Sequence, residues 1–193
     1  VHGTLVSPAG VVRSPQAFAI GPASSRSSNP KVAWGGREYL VVWEDAPNLF
    51  ATPVTSAGAA GASWYVANTS SSQYVPTSYA VGSNGSSWLV AWADNRNSPS
   101  SLVNHDLYAT LVWPDGGLVY GGAMLAAGSG FQTGPVIASD GTSYLVTWMD
   151  DRFPASGYDV YGTVISSTGQ PLGMSSGEAL VSAPGFQGGV SLA

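Results

Sequence analysis

Tyr144-Leu-Val-Thr-Trp148-Met-Asp150-Asp-Arg152 decides the reading of this chain, because the string returns twice upstream. The other copies are Trp88-Leu-Val-Ala-Trp92-Ala-Asp94-Asn-Arg96 and Tyr39-Leu-Val-Val-Trp43-Glu-Asp45-Ala-Pro47. The aromatic-bounded run is apolar on both alternating faces, as in a strand covered on each side by neighbouring sheets. Ser83-Asn-Gly-Ser-Ser87 and Ser139-Asp-Gly-Thr-Ser143 stand just before two of the copies. Asn-Gly and Asp-Gly supply the positive φ angles of hairpin turns there.

Three further elements recur around this strand. Asp106-Leu-Tyr-Ala-Thr-Leu-Val112 and Asp159-Val-Tyr-Gly-Thr-Val-Ile165 have a weaker relative in Asn48-Leu-Phe-Ala-Thr-Pro-Val54 and a truncated one in Val1-His-Gly-Thr-Leu-Val6. Each is followed four residues later by glycine: Gly116, Gly169, Gly58 and Gly10. Pro30-Lys-Val-Ala33, Tyr79-Ala-Val-Gly82 and Pro135-Val-Ile-Ala138 precede the Trp strands, and Phe131-Gln-Thr-Gly134 returns as Phe186-Gln-Gly-Gly189. A less regular fourth strand falls at Gln16 to Ile20, Trp64 to Asn68, Ala123 to Ala127 and Glu178 to Ser182.

Four antiparallel strands in roughly 50 residues make one propeller blade. No window shows helical periodicity. The expected fold is therefore all-β, a β-propeller of four-stranded antiparallel blades, with a sandwich or open solenoid as the structural rival. One propeller region spans 1–193, with a partial blade at 1–20, blades at 30–68, 76–127 and 135–182, and a partial blade at 186–193. The partial units predict a fragment of a larger propeller, completed by additional blades or a second chain.

Charged residues make up 9% of the chain, against roughly 25% in an ordinary soluble domain. Gly 25 and Pro 13 help fill their place, as in exported all-β proteins, and Cys 0 removes disulfides and thiolate metal sites. With a net charge of -5 and Lys31 as the only lysine, the chain offers no basic surface for nucleic acid. No apolar run approaches the roughly 20 residues of a membrane helix. The N-terminal residues lack signal-peptide character, so an export signal is expected upstream.

The string Trp-x-Asp-x-Arg followed by Asp-x-Tyr resembles the TolB-like and related propeller repeats of bacterial exported and cell-surface proteins. The resemblance covers all the repeat units, with two good copies, one degraded copy and fragments at the ends. It implies a propeller and a secreted, extracellular or periplasmic address, and it includes binding modules, scaffolds and protease-associated domains. The Ser-x-Asp-x-Gly-x-Thr-Trp boxes of sialidase propellers are absent from the sequence.

Asp94, Asp106, Asp150 and Asp151 are the candidate acids and bases for a secreted polysaccharide hydrolase or lyase. Their recurrence in successive units favours a structural reading, with Arg96 and Arg152 each bridging two loop carboxylates. No calcium-loop spacing appears, so no cofactor is expected, Ca²⁺ being the weak alternative. His105 reads as a solvated loop residue in the insertion-bearing Asn97–Asn104 region, and His2 as a packing substitute for Tyr108 and Tyr161. Trp34, Trp64 and Trp113 break the repeat; with Arg96 and Arg152 they are the ligand-binding candidates, aromatics serving as platforms for sugar rings. Asn68-Thr-Ser70 and Asn84-Gly-Ser86 match the glycosylation sequon, expected to be unmodified in a bacterial protein. The expected function is a non-enzymatic, lectin-like extracellular module binding a glycan or protein, with a structural piece of a surface assembly as a further alternative.

Overall fold

The computed structural model describes residues 1–13, 16–22, 27–67, 78–97, 104–153, 155, 157–174 and 176–192, the side chains of 119–121 excepted. Asn68 with its sequon, loop residues 98–103 and Ala193 lie outside the described residues. Among the described residues the chain forms strands and turns only. Its strands are β1 (His2–Gly3), β2 (Phe18–Ala19), β3 (Ser27–Trp34), β4 (Glu38–Asp45), β5 (Asn48–Thr55), β6 (Trp64–Ala67), β7 (Ser78–Ser83), β8 (Trp88–Asp94), β9 (Asp106–Val112), β10 (Leu118–Ala126), β11 (Gln132–Ser139), β12 (Tyr144–Asp150), β13 (Asp159–Ile165) and β14 (Glu178–Val181). They make three four-stranded antiparallel meanders, β3–β6, β7–β10 and β11–β14, and a two-stranded sheet, β1–β2.

The three meanders share one register. The aromatic that opens each Trp strand faces the last apolar residue of the next strand: Tyr39 opposite Val54, Trp88 opposite Val112, Tyr144 opposite Ile165. Four pairs on, Trp43, Trp92 and Trp148 face Phe50, Tyr108 and Tyr161 and stack on them at centroid distances of 5.8, 6.2 and 6.4 Å. A shift of one residue would turn every apolar side chain to the wrong face, so identical register means identical sidedness.

The turn after the third strand is equally constant. Gly10, Gly58, Gly116 and Gly169 donate their N–H groups to the carbonyls of Ser7, Thr55, Trp113 and Ser166, each at 2.9 Å. All four glycines have φ between 76 and 86°, the left-handed conformation that closes such hairpins and that a Cβ disfavours.

The sheets pack face to face, and the first strands of successive sheets lie together, β3 on β7 and β7 on β11. Each inter-sheet core alternates along the Trp strands. Leu40 and Val42 cover Trp88, Val90 and Trp92, and Leu89 and Ala91 cover Tyr144, Val146 and Trp148. Polar links join the same layers: Tyr144 Oη and Ser87 Oγ lie 2.9 Å apart, and Trp88 Nε1 donates to the Ala33 carbonyl at 3.2 Å.

Candidate functional site

Antiparallel meanders divide the candidate residues between opposite ends of the sheets. At one end run the connections from the second to the third strand of each sheet, where Asp94, Arg96, Asp150 and Arg152 lie. Asp94 is 0% exposed and Asp150 1%. One oxygen of Asp94 accepts from the Arg96 backbone N–H at 3.0 Å and from Arg96 Nε; the other accepts from Trp92 Nε1 at 2.9 Å and from Arg96 Nη2. Asp150 repeats the arrangement with the Arg152 N–H, Nε and Nη2 and with Trp148 Nε1 at 3.0 Å, and Gln132 Nε2 adds a contact at 3.4 Å. Bonding to Asp150 raises the Arg152 guanidinium above its ordinary pKa.

These carboxylates are clamps. An ionised carboxylate only accepts, and here donors from its own motif occupy both oxygens, which leaves no aimed lone pair for proton transfer to a ligand. Each Arg grips a single motif carboxylate, contrary to the expected bridge between two. Its plane instead covers the aromatic ring beneath, with Arg96 Cζ 4.1 Å from the centre of Tyr108 and Arg152 Cζ 4.0 Å from that of Tyr161. The second carboxylates have other partners. Asp106 accepts from Asn97 Nδ2 at 2.8 Å, and Asp159 accepts from the Ala183 N–H at 3.3 Å. Asp151 accepts from the Phe131 N–H and so ties the start of β11 to the loop after β12.

His105 is buried, which corrects its reading as a solvated loop residue. Its carbonyl accepts from the Gln132 N–H at 2.9 Å, and its ring meets Phe131 edge-on at 4.9 Å. Burial lowers the imidazole pKa from its ordinary 6.5, against the opposing pull of Asp94 and Asp106. The available signal was the Phe-Gln pair, since Gln187 donates to the Tyr158 carbonyl at 2.7 Å and Phe186 meets Tyr158 edge-on at 5.7 Å. His2 is exposed rather than packed, and among the described residues no Trp strand stands beside β1.

At the other end lie the turns between first and second strands and between third and fourth. Trp34 stands where the other sheets carry Ser83 and Ser139, whose hydroxyls tie their turns by accepting from the Gly85 and Gly141 N–H groups. Trp113 stands where they carry Ser7, Thr55 and Ser166, whose oxygens accept from the amides four residues on. Two of the three irregular tryptophans thus replace turn-fixing hydroxyls.

Their surroundings differ. Trp34 is 44% exposed and rests on Tyr39 with ring centres 4.6 Å apart. Trp64 and Trp113 pack against the buried cores, and among the described residues the buried Trp64 indole N–H has no hydrogen-bond partner. On the opposite face of the sheet from the Trp34 ring, a cleft of about 270 Å³ opens between the first two sheets, lined by Gly35, Arg37, Glu38, Gly85, Ser86 and Pro114 over the Trp88 ring. No family model matches the chain, and no curated protein matches it. The cleft is therefore read from its own chemistry. It offers a guanidinium, a carboxylate and turn backbone within one concave surface, and the Trp88 ring beneath is buried.

Arg37 and Glu38 were absent from the sequence-derived candidates, since nothing in the repeat marks them apart from ordinary turn residues. Arg96 and Arg152, at the opposite end, do not join this cleft. Asn84 of the second sequon is buried as well: its Oδ1 accepts from the Ser86 and Ser87 N–H groups at 3.0 and 2.9 Å, and its Nδ2 donates to the Thr142 carbonyl at 3.1 Å. An amide so engaged is not presented for modification. Among the described residues no three His, Asp or Glu side chains converge as metal ligands, and no helix is long and apolar enough to cross a membrane.

Proposed function

We propose that this chain is an arc of a β-propeller of the TolB-like repeat type, acting outside the cytoplasm as a non-enzymatic binding module. The common register of the three meanders and the gathering of β3, β7 and β11 support the radial arrangement. The ligand site is the exposed ring of Trp34 at the turn end of the first sheet. The observation that carries this reading is an exposed Trp, resting on Tyr39, in a place where the other sheets have a turn-fixing serine. An exposed indole face suits a pyranose ring, whose apolar face stacks on it. A glycan is accordingly the favoured ligand class, and the reading calls for no cofactor.

The test is a glycan array probed with the chain and with Trp34→Ser. Serine restores the hydroxyl of the other sheets, so the variant is expected to keep its melting temperature while losing glycan retention. Retention unchanged in Trp34→Ser, or no glycan retained by the unaltered chain, overturns the assignment. A second reading, a structural piece of a surface assembly, is favoured by Val164, Leu172 and Leu180 exposed on the outer face of the third sheet. The saturated Asp94 and Asp150 give the hydrolase or lyase alternative no support.

A further inference from the structure

The two seams between the four-stranded sheets are closed differently at their turn ends. In the second seam Asn84 Nδ2 donates across to the Thr142 carbonyl at 3.1 Å, and Ser87 Oγ lies 2.9 Å from Tyr144 Oη. The register puts Gly35, Glu38 and Trp88 at the corresponding places of the first seam. Glycine supplies no arm to reach across. A Cβ on Gly35 would collide with the Trp88 ring, and one on Gly36, at φ 88°, would lie 2.5 Å from the Gly85 carbonyl oxygen. The first seam therefore meets backbone to ring and backbone to backbone, and in place of a hydrogen-bonded seal it keeps the cleft of about 270 Å³.

The charged groups of this cleft also set it apart. Arg37 and Glu38 stand where the second turn has Ser86 and Ser87 and the third has Thr142 and Ser143. Both line the cleft, Arg37 exposed and Glu38 half-buried. Among the described residues the salt bridges are Arg96–Asp94 and Arg152–Asp150, and the side chains of Arg37 and Glu38 have neither an ionic nor a hydrogen-bonding partner. One wall thus presents a cation and an anion, both unengaged.

We propose that this cleft binds a small zwitterion, of which a free α-amino acid is the simplest case, with the ligand carboxylate on Arg37 and the ligand ammonium on Glu38. A guanidinium offers a carboxylate two parallel N–H donors, and a carboxylate accepts from an ammonium. A ligand with one charge would engage one group of the wall and leave the other to lose water without a partner. A ligand with both charges engages the two together. The volume lies below the roughly 300–1,000 Å³ of pockets for drug-sized molecules, which limits the ligand to a small one. Its aliphatic body would rest against Pro114, above the buried Trp88 ring. The cleft lies between two complete sheets, on the face of the first sheet opposite Trp34, and the inference does not use the glycan reading.

The experiment follows the full chain by NMR while L-valine, or its single-charge analogues α-hydroxyisovalerate and L-valinol, is added into the millimolar range. Expected with L-valine are saturable shifts of the Trp88 indole N–H and of the Gly85 and Ser86 amides, with the Trp92 and Trp148 indoles unmoved. Each analogue is expected to bind more weakly by about tenfold or more. Arg37→Gln is expected to hold L-valine no better than the unaltered chain holds L-valinol, and Glu38→Gln no better than it holds α-hydroxyisovalerate, with melting temperatures unchanged. Absence of saturable shifts with L-valine, an analogue that binds as tightly, or variants that bind L-valine like the unaltered chain overturns the proposal. Saturation of the same signals by methyl glucoside also overturns it, in favour of a sugar site in the cleft. Trp34→Ser is expected to bind L-valine unchanged while losing glycan retention; loss of both in that variant overturns the placing of L-valine in this cleft.

Discussion

The first sheet and the third join their second and third strands in different ways, and the contrast assigns a role to the Asp-Arg pair. In the first sheet Asp45 pairs with Asn48 across the two-residue turn Ala46–Pro47. The third sheet needs the connection Asp151–Tyr158, and the second needs Asn95–His105. Only the longer connections begin with a buried carboxylate held by an Arg. The ring under the motif is covered accordingly. Tyr161 and Tyr108 lie beneath guanidinium groups, whereas Phe50 lies 4.5 Å from Tyr65, its cross-strand neighbour. The pair is thus a device for fixing where a long loop leaves its strand, and a tight hairpin dispenses with it.

Removing the carboxylate is the strongest way to break this comparison. Asp150→Ala or Asp94→Ala takes the partner from an Arg and from a buried indole N–H together, and each is expected to cost about 3 kcal/mol in chemical denaturation. Asp45→Ala, at a half-buried site in the tight turn, is expected to cost less than about 1 kcal/mol. Equal costs at all three positions would dissolve the distinction between the sheets.

Next in size is the guanidinium. Arg152→Met keeps the apolar stem and leaves Asp150 with neutral donors only, for an expected loss of about 2 kcal/mol. A double-mutant cycle with Asp150→Ala is expected to show strong coupling, and additive losses would mean that the two residues act separately. In the first sheet the corresponding cover is aromatic, and Tyr65→Ala is expected to cost about 1 kcal/mol. Met124→Ala, at the same cross-strand place over a Tyr108 already covered by Arg96, is expected to cost about half of that or less.

The smallest effect is one of pH. His105 occupies the position before the third strand that Pro47 and Tyr158 fill in the other sheets. Its pKa is lowered on folding, chiefly by burial, so below 6.5 the unfolded chain binds more protons than the folded one. Stability conferred by the neutral ring is therefore complete above 6.5 and is lost as the pH falls toward the lowered folded value. His105→Phe is expected to flatten the dependence of the unfolding midpoint between neutral pH and pH 5; an unchanged slope would place the titration elsewhere.

Much of the fold was legible because strand identity resides in short, local patterns. The Trp strands, the third strands and their closing glycines fall where the repeat sets them. The fourth strand of the second sheet is longer than Ala123–Ala127 suggested, since β10 begins at Leu118 and pairs with β9 on both sides of a bulge. Its pair Leu118–Val112 has isolated counterparts in Val54–Ala60, Ile165–Pro171 and Val6–Val12, so the difference is one of continuity that no residue pattern announces. The candidate site was less legible. Arg96 and Arg152 were drawn to a ligand by their charge, yet their partners are two residues away. Trp34 was marked by breaking the repeat, whereas the cleft that joins Arg37 and Glu38 to Gly85 and Pro114 exists only where two sheets meet. His105 required knowledge of Phe131, which lies far along the chain and against it in space.

The alternation of covering pairs and covered triads has a consequence for how such chains change length. Since both seams between the four-stranded sheets are made from the same two half-sets of side chains, duplication or loss of one unit recreates a junction already in use, with no new interface to be invented. Variation in unit number is then cheap for this architecture, while a single-residue insertion inside a Trp strand inverts both half-sets and spoils two seams together.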